Sequence, residues 1–163
     1  MDTKLAAVSI SILAWFLLLT GCEEKVESFN LSIDNFYGVE GFTLHYDVSP
    51  GVFRVRLTDD FDSPEKHPWE SELSSEQSKA IAILLEKLPL ETLEDEYDNP
   101  NVDDGLQLTF RIRRGNESLR TIELRNRYQK DLFAIIEIIN EIVPDDYAIR
   151  FDQGSVTVGD PEE

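Results

Sequence analysis

Hydrophobic and polar positions in this chain follow two periodicities after an opening apolar block. Residues 5–19 form that block, fifteen positions whose only polar members are Ser9 and Ser11. It is shorter than the roughly 20 residues that span a bilayer comfortably. From Phe29 the period becomes two: Phe29, Leu31 and Ile33 alternate weakly, and Phe42, Leu44, Tyr46 and Val48 alternate clearly. Ser49-Pro50-Gly51 is a turn signal, after which Phe53, Val55 and Leu57 alternate with Arg54 and Arg56. This predicts a β-hairpin whose apolar face carries Leu44, Tyr46, Phe53, Val55 and Leu57. Residues 58–73, with Pro64, Pro68 and Trp69, have the composition of a loop.

Ser74-Ser75-Glu76-Gln77 has the form of a capping box, in which Gln77 reaches back to the backbone of Ser74. Behind it Ile81, Leu84, Leu85 and Leu88 recur at helical spacing and leave Glu76, Lys79 and Glu86 towards water; Pro89 stops the helix. A dense acidic segment over residues 90–105 is expected to be a loop. Leu106, Leu108, Phe110 and Ile112 then give the cleanest alternation in the chain. Arg114-Gly115-Asn116-Glu117 turns it back, and Ile122 and Leu124 continue the return strand. A second helix is predicted over 128–143, with Leu132, Ile135, Ile136, Ile139, Ile142 and Val143 on its apolar face and Pro144 at its end. A last strand over 147–151 and a weak one over 156–158 complete the pattern. Strand, strand, helix thus occurs twice, at 42–88 and 106–143. The expectation is an α+β fold, an antiparallel sheet built from two ββα units with both helices packed on one face.

The apolar block is preceded by Lys4 and followed by Leu19-Thr20-Gly21-Cys22. A run of this length behind a basic start has the proportions of a signal-peptide core. Its last four residues resemble the lipobox of bacterial lipoprotein precursors. That resemblance implies cleavage between Gly21 and Cys22, diacylglycerol on the Cys22 sulfur and an acyl chain on its new amino group. Two or more lipid chains make a lasting anchor where one would not. The implied organisation is a signal peptide at 1–21, a lipidated tether at 22–28, a single domain at 29–159 and an acidic tail at 160–163. Glu23-Glu24-Lys25 is similar to the surface-export signals of Bacteroidetes lipoproteins, and Glu23 stands where the enterobacterial inner-membrane retention residue is Asp. Both point to the outer membrane, facing the periplasm or the cell surface. Tyr97-x-Asn99-Pro100-x-Val102-x-Asp104-Gly105, with the strands and helix after it, resembles small uncharacterised lipoproteins of environmental bacteria.

Charge narrows the partners. The chain holds 33 acidic against 15 basic residues, a formal net charge of −18. Binding phosphates needs a basic footprint, so nucleic acid is excluded as a partner. Lying flat on an anionic bilayer is disfavoured too, so membrane contact is expected only through lipid on Cys22. Cys22 is the one cysteine, so a lipidated chain has none left for a disulfide and must be held by packing.

Candidate chemistry is sparse. There is no His-x-x-x-His, G-x-S-x-G, P-loop or G-x-G-x-x-G, and the two histidines, His45 and His67, stand apart. No cofactor is expected. Residues 59–104 carry fifteen acids against Lys66, Lys79 and Lys87, whereas 106–130 hold six arginines and Lys130, an electrically two-sided chain. Glu94, Asp95, Glu96, Asp98, Asp103 and Asp104 are hard oxygen ligands of the kind calcium takes, but they miss the EF-hand spacing. A solvated acidic loop is the default. Arg54, Arg56, Arg111 and Arg113 occupy polar strand positions and could share the uncovered sheet face. Such a stripe would dock an anionic group on a glycan, lipid or protein; the plainer alternative is that it pairs with the protein's own carboxylates. The function expected is a non-enzymatic binding or structural role in the cell envelope. The alternatives are an inhibitor or immunity lipoprotein that blocks a basic enzyme, and a carboxylate-dependent hydrolase of envelope polymers.

Overall fold

The computed structural model describes residues 28–37, 41–59, 66–102 and 105–150. The apolar block, Gly21, Cys22, the tether up to residue 27, the 156–158 segment and the acidic tail lie outside the described residues.

Alternation builds most of the sheet. β1 (Phe29–Tyr37), β2 (Phe42–Ser49) and β3 (Val52–Asp59) form an antiparallel meander, continued by β4 (Lys66–Glu72). The β2–β3 turn is two residues long, with Ser49 paired to Val52. Pro50 fixes the first turn position, and Gly51, at φ 83°, takes a left-handed second position that a side chain would resist. After α1 (Ser75–Lys87) come β5 (Glu96–Asp98), β6 (Gln107–Arg114), β7 (Arg120–Arg125) and α2 (Lys130–Asn140). The seven strands run in the order β4-β3-β2-β1-β6-β7-β5, antiparallel throughout except for the β5–β7 pair.

Phe29, Leu31 and Ile33 of β1 share one sheet face with Tyr46 and Val48 of β2, Phe53 and Val55 of β3, Phe110 and Ile112 of β6, and Ile122 and Leu124 of β7. All are buried in one cluster with Ile81 and Leu85 of α1 and Leu132, Phe133, Ile135, Ile136 and Ile139 of α2. Both helices therefore cover the same face. The capping box forms as its sequence predicts, with the Ser74 hydroxyl accepting from the Gln77 amide at 3.1 Å and the Ser74 amide donating to the Gln77 side chain at 2.9 Å. At the other end of α1, Nη1 of Arg114 donates to the carbonyls of Glu86 and Leu88 at 3.1 Å, so a β6 side chain satisfies the helix's last acceptors.

Three expectations change. Residues 66–72 are a strand, not a loop; Pro68 is tolerated because β4 lies at the sheet edge, and Trp69 packs edge-on against Phe53 at 5.2 Å. The acidic segment is not all loop, since Glu96–Asp98 adds a short parallel strand to β7. The strand expected at 147–151 is, over its described part, a 3₁₀ turn (Asp145–Tyr147) and an extended stretch. Asn140 takes the place of a neighbouring strand there: its Oδ1 accepts from the Ile149 amide at 2.8 Å and its Nδ2 donates to the Ile149 carbonyl at 2.9 Å. The α+β class and the mainly antiparallel sheet stand, but β4 intervenes between the first hairpin and α1.

Tyr46 spans the layers. Its ring is fully buried in the core, and its hydroxyl donates to the Tyr147 carbonyl at 2.9 Å. Burial, with Tyr37 nearby, pushes its phenol well above the usual tyrosine range. The unfolded phenol titrates near ~10, so this stability is complete below that pH. Above it, only the unfolded state ionises, and stability falls by up to about 1.4 kcal/mol per pH unit. Tyr46→Phe is expected to cost about 1 kcal/mol at pH 8 through the lost hydrogen bond. Its deficit should shrink and reverse in urea unfolding above about pH 11.

Candidate functional site

The face opposite the helices is polar. Register places the side chains of Asn30, Ser32, Asp34 and Phe36 on it from the central strand β1, with Thr43, His45 and Asp47 on one side and Gln107, Thr109 and Arg111 on the other. Arg54 and Arg56 pair with Asp47 and His45 across the β2–β3 ladder, and Arg113 lies opposite Asn30. The four arginines do share one face, as strand parity predicts.

They do not form a free cationic stripe. Nε of Arg54 donates to Glu70 at 2.8 Å, Nε of Arg56 to Asp47 at 2.6 Å, and Nη1 of Arg111 to Asp34 at 2.5 Å. The Ser32 hydroxyl donates to the other oxygen of Asp47 at 3.1 Å. The hydrogen bond and charge of Glu70 hold the Arg54 guanidinium above its ordinary range. Arg113 alone of the four makes no ion pair among the described residues.

His45 is more engaged than an isolated surface histidine. Its Nδ1 lies 2.8 Å from Oδ1 of Asp34, and its Nε2 3.0 Å from the Thr58 hydroxyl. A carboxylate can only accept, so Nδ1 carries the proton; in the neutral ring Nε2 then accepts from Thr58. Asp34 accepts on both oxygens, from His45 and from Arg111, and its side chain is only 18% exposed. Asp34, His45 and Thr58 make a hydrogen-bonded line across three strands. It fixes the ring and could pass a proton along the line, but it sits on an open sheet face. Asp34 and Asp47 both accept on each oxygen.

Beside this line lies a shallow depression of about 310 Å³, bordered by Asp34, Phe36, Thr43, Gln107, Thr109 and Arg125. Its far rim belongs to β7, where Arg125 donates to Glu123 at 2.5 Å and meets Glu96 of β5 at 3.2 Å. Glu123 first, then Glu96, push the Arg125 guanidinium up. Strand parity carries most of this site in the sequence: positions 43, 45, 107 and 109 fall between apolar neighbours, whereas 34 and 36 flank Asn35, a polar residue that is buried. The partnership of Asp34 with His45 and Arg111 is the part that parity does not reveal.

The acidic segment is tied to the sheet by ion pairs. Asp95 pairs with Arg120, Glu96 with Arg125, and Arg127 lies 5.9 Å above the Tyr97 ring. Among the described residues no group of three metal-ligating side chains could hold a metal; Asp103 and Asp104 lie outside them. Because β5 adjoins β7, part of the acidic stretch meets the basic one.

Arg111 and Arg113 now separate. Arg111→Glu sets a second carboxylate beside Asp34 and is expected to destabilise by about 1–3 kcal/mol. Arg113→Glu, on an exposed side chain without a partner, should stay within about 0.5 kcal/mol of the parent. Urea unfolding of the two variants checks this; equal losses would contradict the pairing.

Among the described residues no helix is long and apolar enough to cross a membrane. No family model matches this sequence, and no curated protein matches it.

Proposed function

We propose that this chain is a lipid-anchored protein of the bacterial cell envelope, held in the outer membrane through acyl chains on Cys22, that binds a partner through its bare sheet face without catalysing a reaction. The anchor rests on Leu19-Thr20-Gly21-Cys22 behind a short apolar run. In this reading two ββα units, β2–β3 with α1 and β6–β7 with α2, commit both helices to one face and leave the other for recognition.

One observation carries the choice of binding over catalysis. The side chains with chemistry, Asp34, His45, Thr58 and Arg111, are hydrogen-bonded to one another on an open strand surface beside a shallow depression, not enclosed in a deep cleft. Catalytic pockets enclose their substrates and exclude water. An open surface whose charges are already paired is suited to weak, selective contact.

Two measurements test the proposal. A palmitate analogue fed to expressing cells should label the wild type and spare Cys22→Ser; label on the variant would remove the anchor. A photo-crosslinking residue at Thr121, on the bare face, should give adducts in cells, whereas one at Ala80 on α1 should give few. Equal yields at both positions would remove the bare face as the binding surface.

A further inference from the structure

We propose that the depression around Phe36 binds a neutral oligosaccharide, one sugar ring stacking on Phe36 while its hydroxyls hydrogen-bond to the surrounding strand side chains. The inference deepens the binding role proposed above and rests on it.

The composition of the depression selects the ligand class. Phe36 is 37% exposed, and it is the one exposed large apolar side chain among the described residues that belongs to a strand. On the bare face it lies directly between Thr43 and Gln107. An aromatic ring in a polar surround offers an apolar plane at little entropic cost, and the C–H face of a pyranose is a matching plane.

Around the ring the charges are spent. Arg111 is held by Asp34, and Arg125 by Glu123 and Glu96, so an anionic ligand would have to break an existing pair to gain one. Hydrogen-bonding capacity is not spent. The side chains of Thr43, Gln107 and Thr109 make no hydrogen bond among the described residues, and all three border the depression. Each carboxylate oxygen of Asp34 uses one acceptor site and keeps another. A ligand that both donates and accepts at many points, carries no charge and has an apolar face meets this demand. A neutral sugar does so; a protein surface of opposite charge or an anionic head group does not.

The geometry also fixes the scale. About 310 Å³ on an open face accommodates one or two sugar rings and leaves the rest of a chain in solvent. Binding is therefore expected to be weak for a single site, with Phe36 dominating.

Saturation-transfer NMR on the full chain, in a detergent without a sugar head group, tests this with chitotetraose, cellotetraose and maltotetraose as neutral probes and tetragalacturonate as an anionic one. At least one neutral probe should show transfer. Phe36→Ala should weaken it about tenfold, Phe36→Trp should retain it and Arg113→Ala should leave it unchanged. Thr109→Val, which keeps a β-branched residue on the strand and removes a free hydroxyl, should weaken it several-fold and serves if Phe36→Ala does not fold. No transfer from any neutral probe would overturn the sugar assignment, while adducts at Thr121 would still support the bare face as a binding surface. Transfer from tetragalacturonate alone, or transfer unaffected by Phe36→Ala and Thr109→Val, would overturn it as well.

Discussion

The pairing of β1 with β6 holds the two halves of the chain together. It matches eight successive positions, from Phe29 opposite Arg114 to Phe36 opposite Gln107. The strands before α1 lie on the β1 side of this ladder and those after it on the β6 side. The same register sets what faces inward, Leu31 against Ile112 and Ile33 against Phe110, and what faces outward, Ser32 against Arg111 and Asp34 against Thr109. A slip of one residue would turn Ile33 into water and Asp34 into the core. The buried cluster and the polar face are thus one decision, made at a single interface between segments far apart in sequence.

Where the physics is local, the sequence showed it plainly. The 42–57 hairpin, the Ser74 to Gln77 capping box and the 106–112 strand declare themselves through alternation, turn chemistry and spacing. So does the apolar stripe of α2, although Phe133 is buried as well and the helix ends at Asn140, ahead of Val143. Where a partner from elsewhere decides the outcome, the sequence was silent. Nothing near Trp69 announces that Phe53 will make 66–72 an edge strand, nor does Tyr97 announce that β7 will recruit it. Asn140 binding both backbone groups of Ile149 is a tertiary substitute for a ladder, and alternation cannot distinguish the two. For the site, parity put the arginines on one face, but Arg111 meets Asp34 across 77 residues. That separation hid the pairing that changes a cationic stripe into a neutralised surface.

The acidity of the chain gives the arginines their work. A net charge of −18 on a domain of this size repels itself, and compaction is opposed unless carboxylates are placed beside cations. Residues 111–127 supply those cations where the acidic segment returns to the sheet. Arg120 reaches both Asp95 and the Leu93 carbonyl, and Arg125 lies between Glu96 and Glu123, which face each other across the β5–β7 ladder. Two glutamates directly opposed would repel without it. Exposed pairs of this kind contribute little one by one. Their effect here is positional, since they let a strongly acidic segment pair with the sheet at all.

Among the described residues the sheet has one face without helices and two edges without a further strand, an arrangement that invites association with other sheets, and this one resists at each point. The β4 edge carries Pro68, which cannot donate to a new strand, and the β5 edge is three residues long with Glu96 and Asp98 on it. The face itself is crossed by ion pairs that a docking hydrophobic surface would have to desolvate without replacement. Phe36 escapes this rule, being apolar, exposed and central. A residue that only filled a pleat there could be threonine, as its neighbour Thr43 is. An aromatic ring at that position adds stacking area on a surface otherwise defended against apolar contact, and stacking area is useful only to a ligand that also satisfies the polar groups around it.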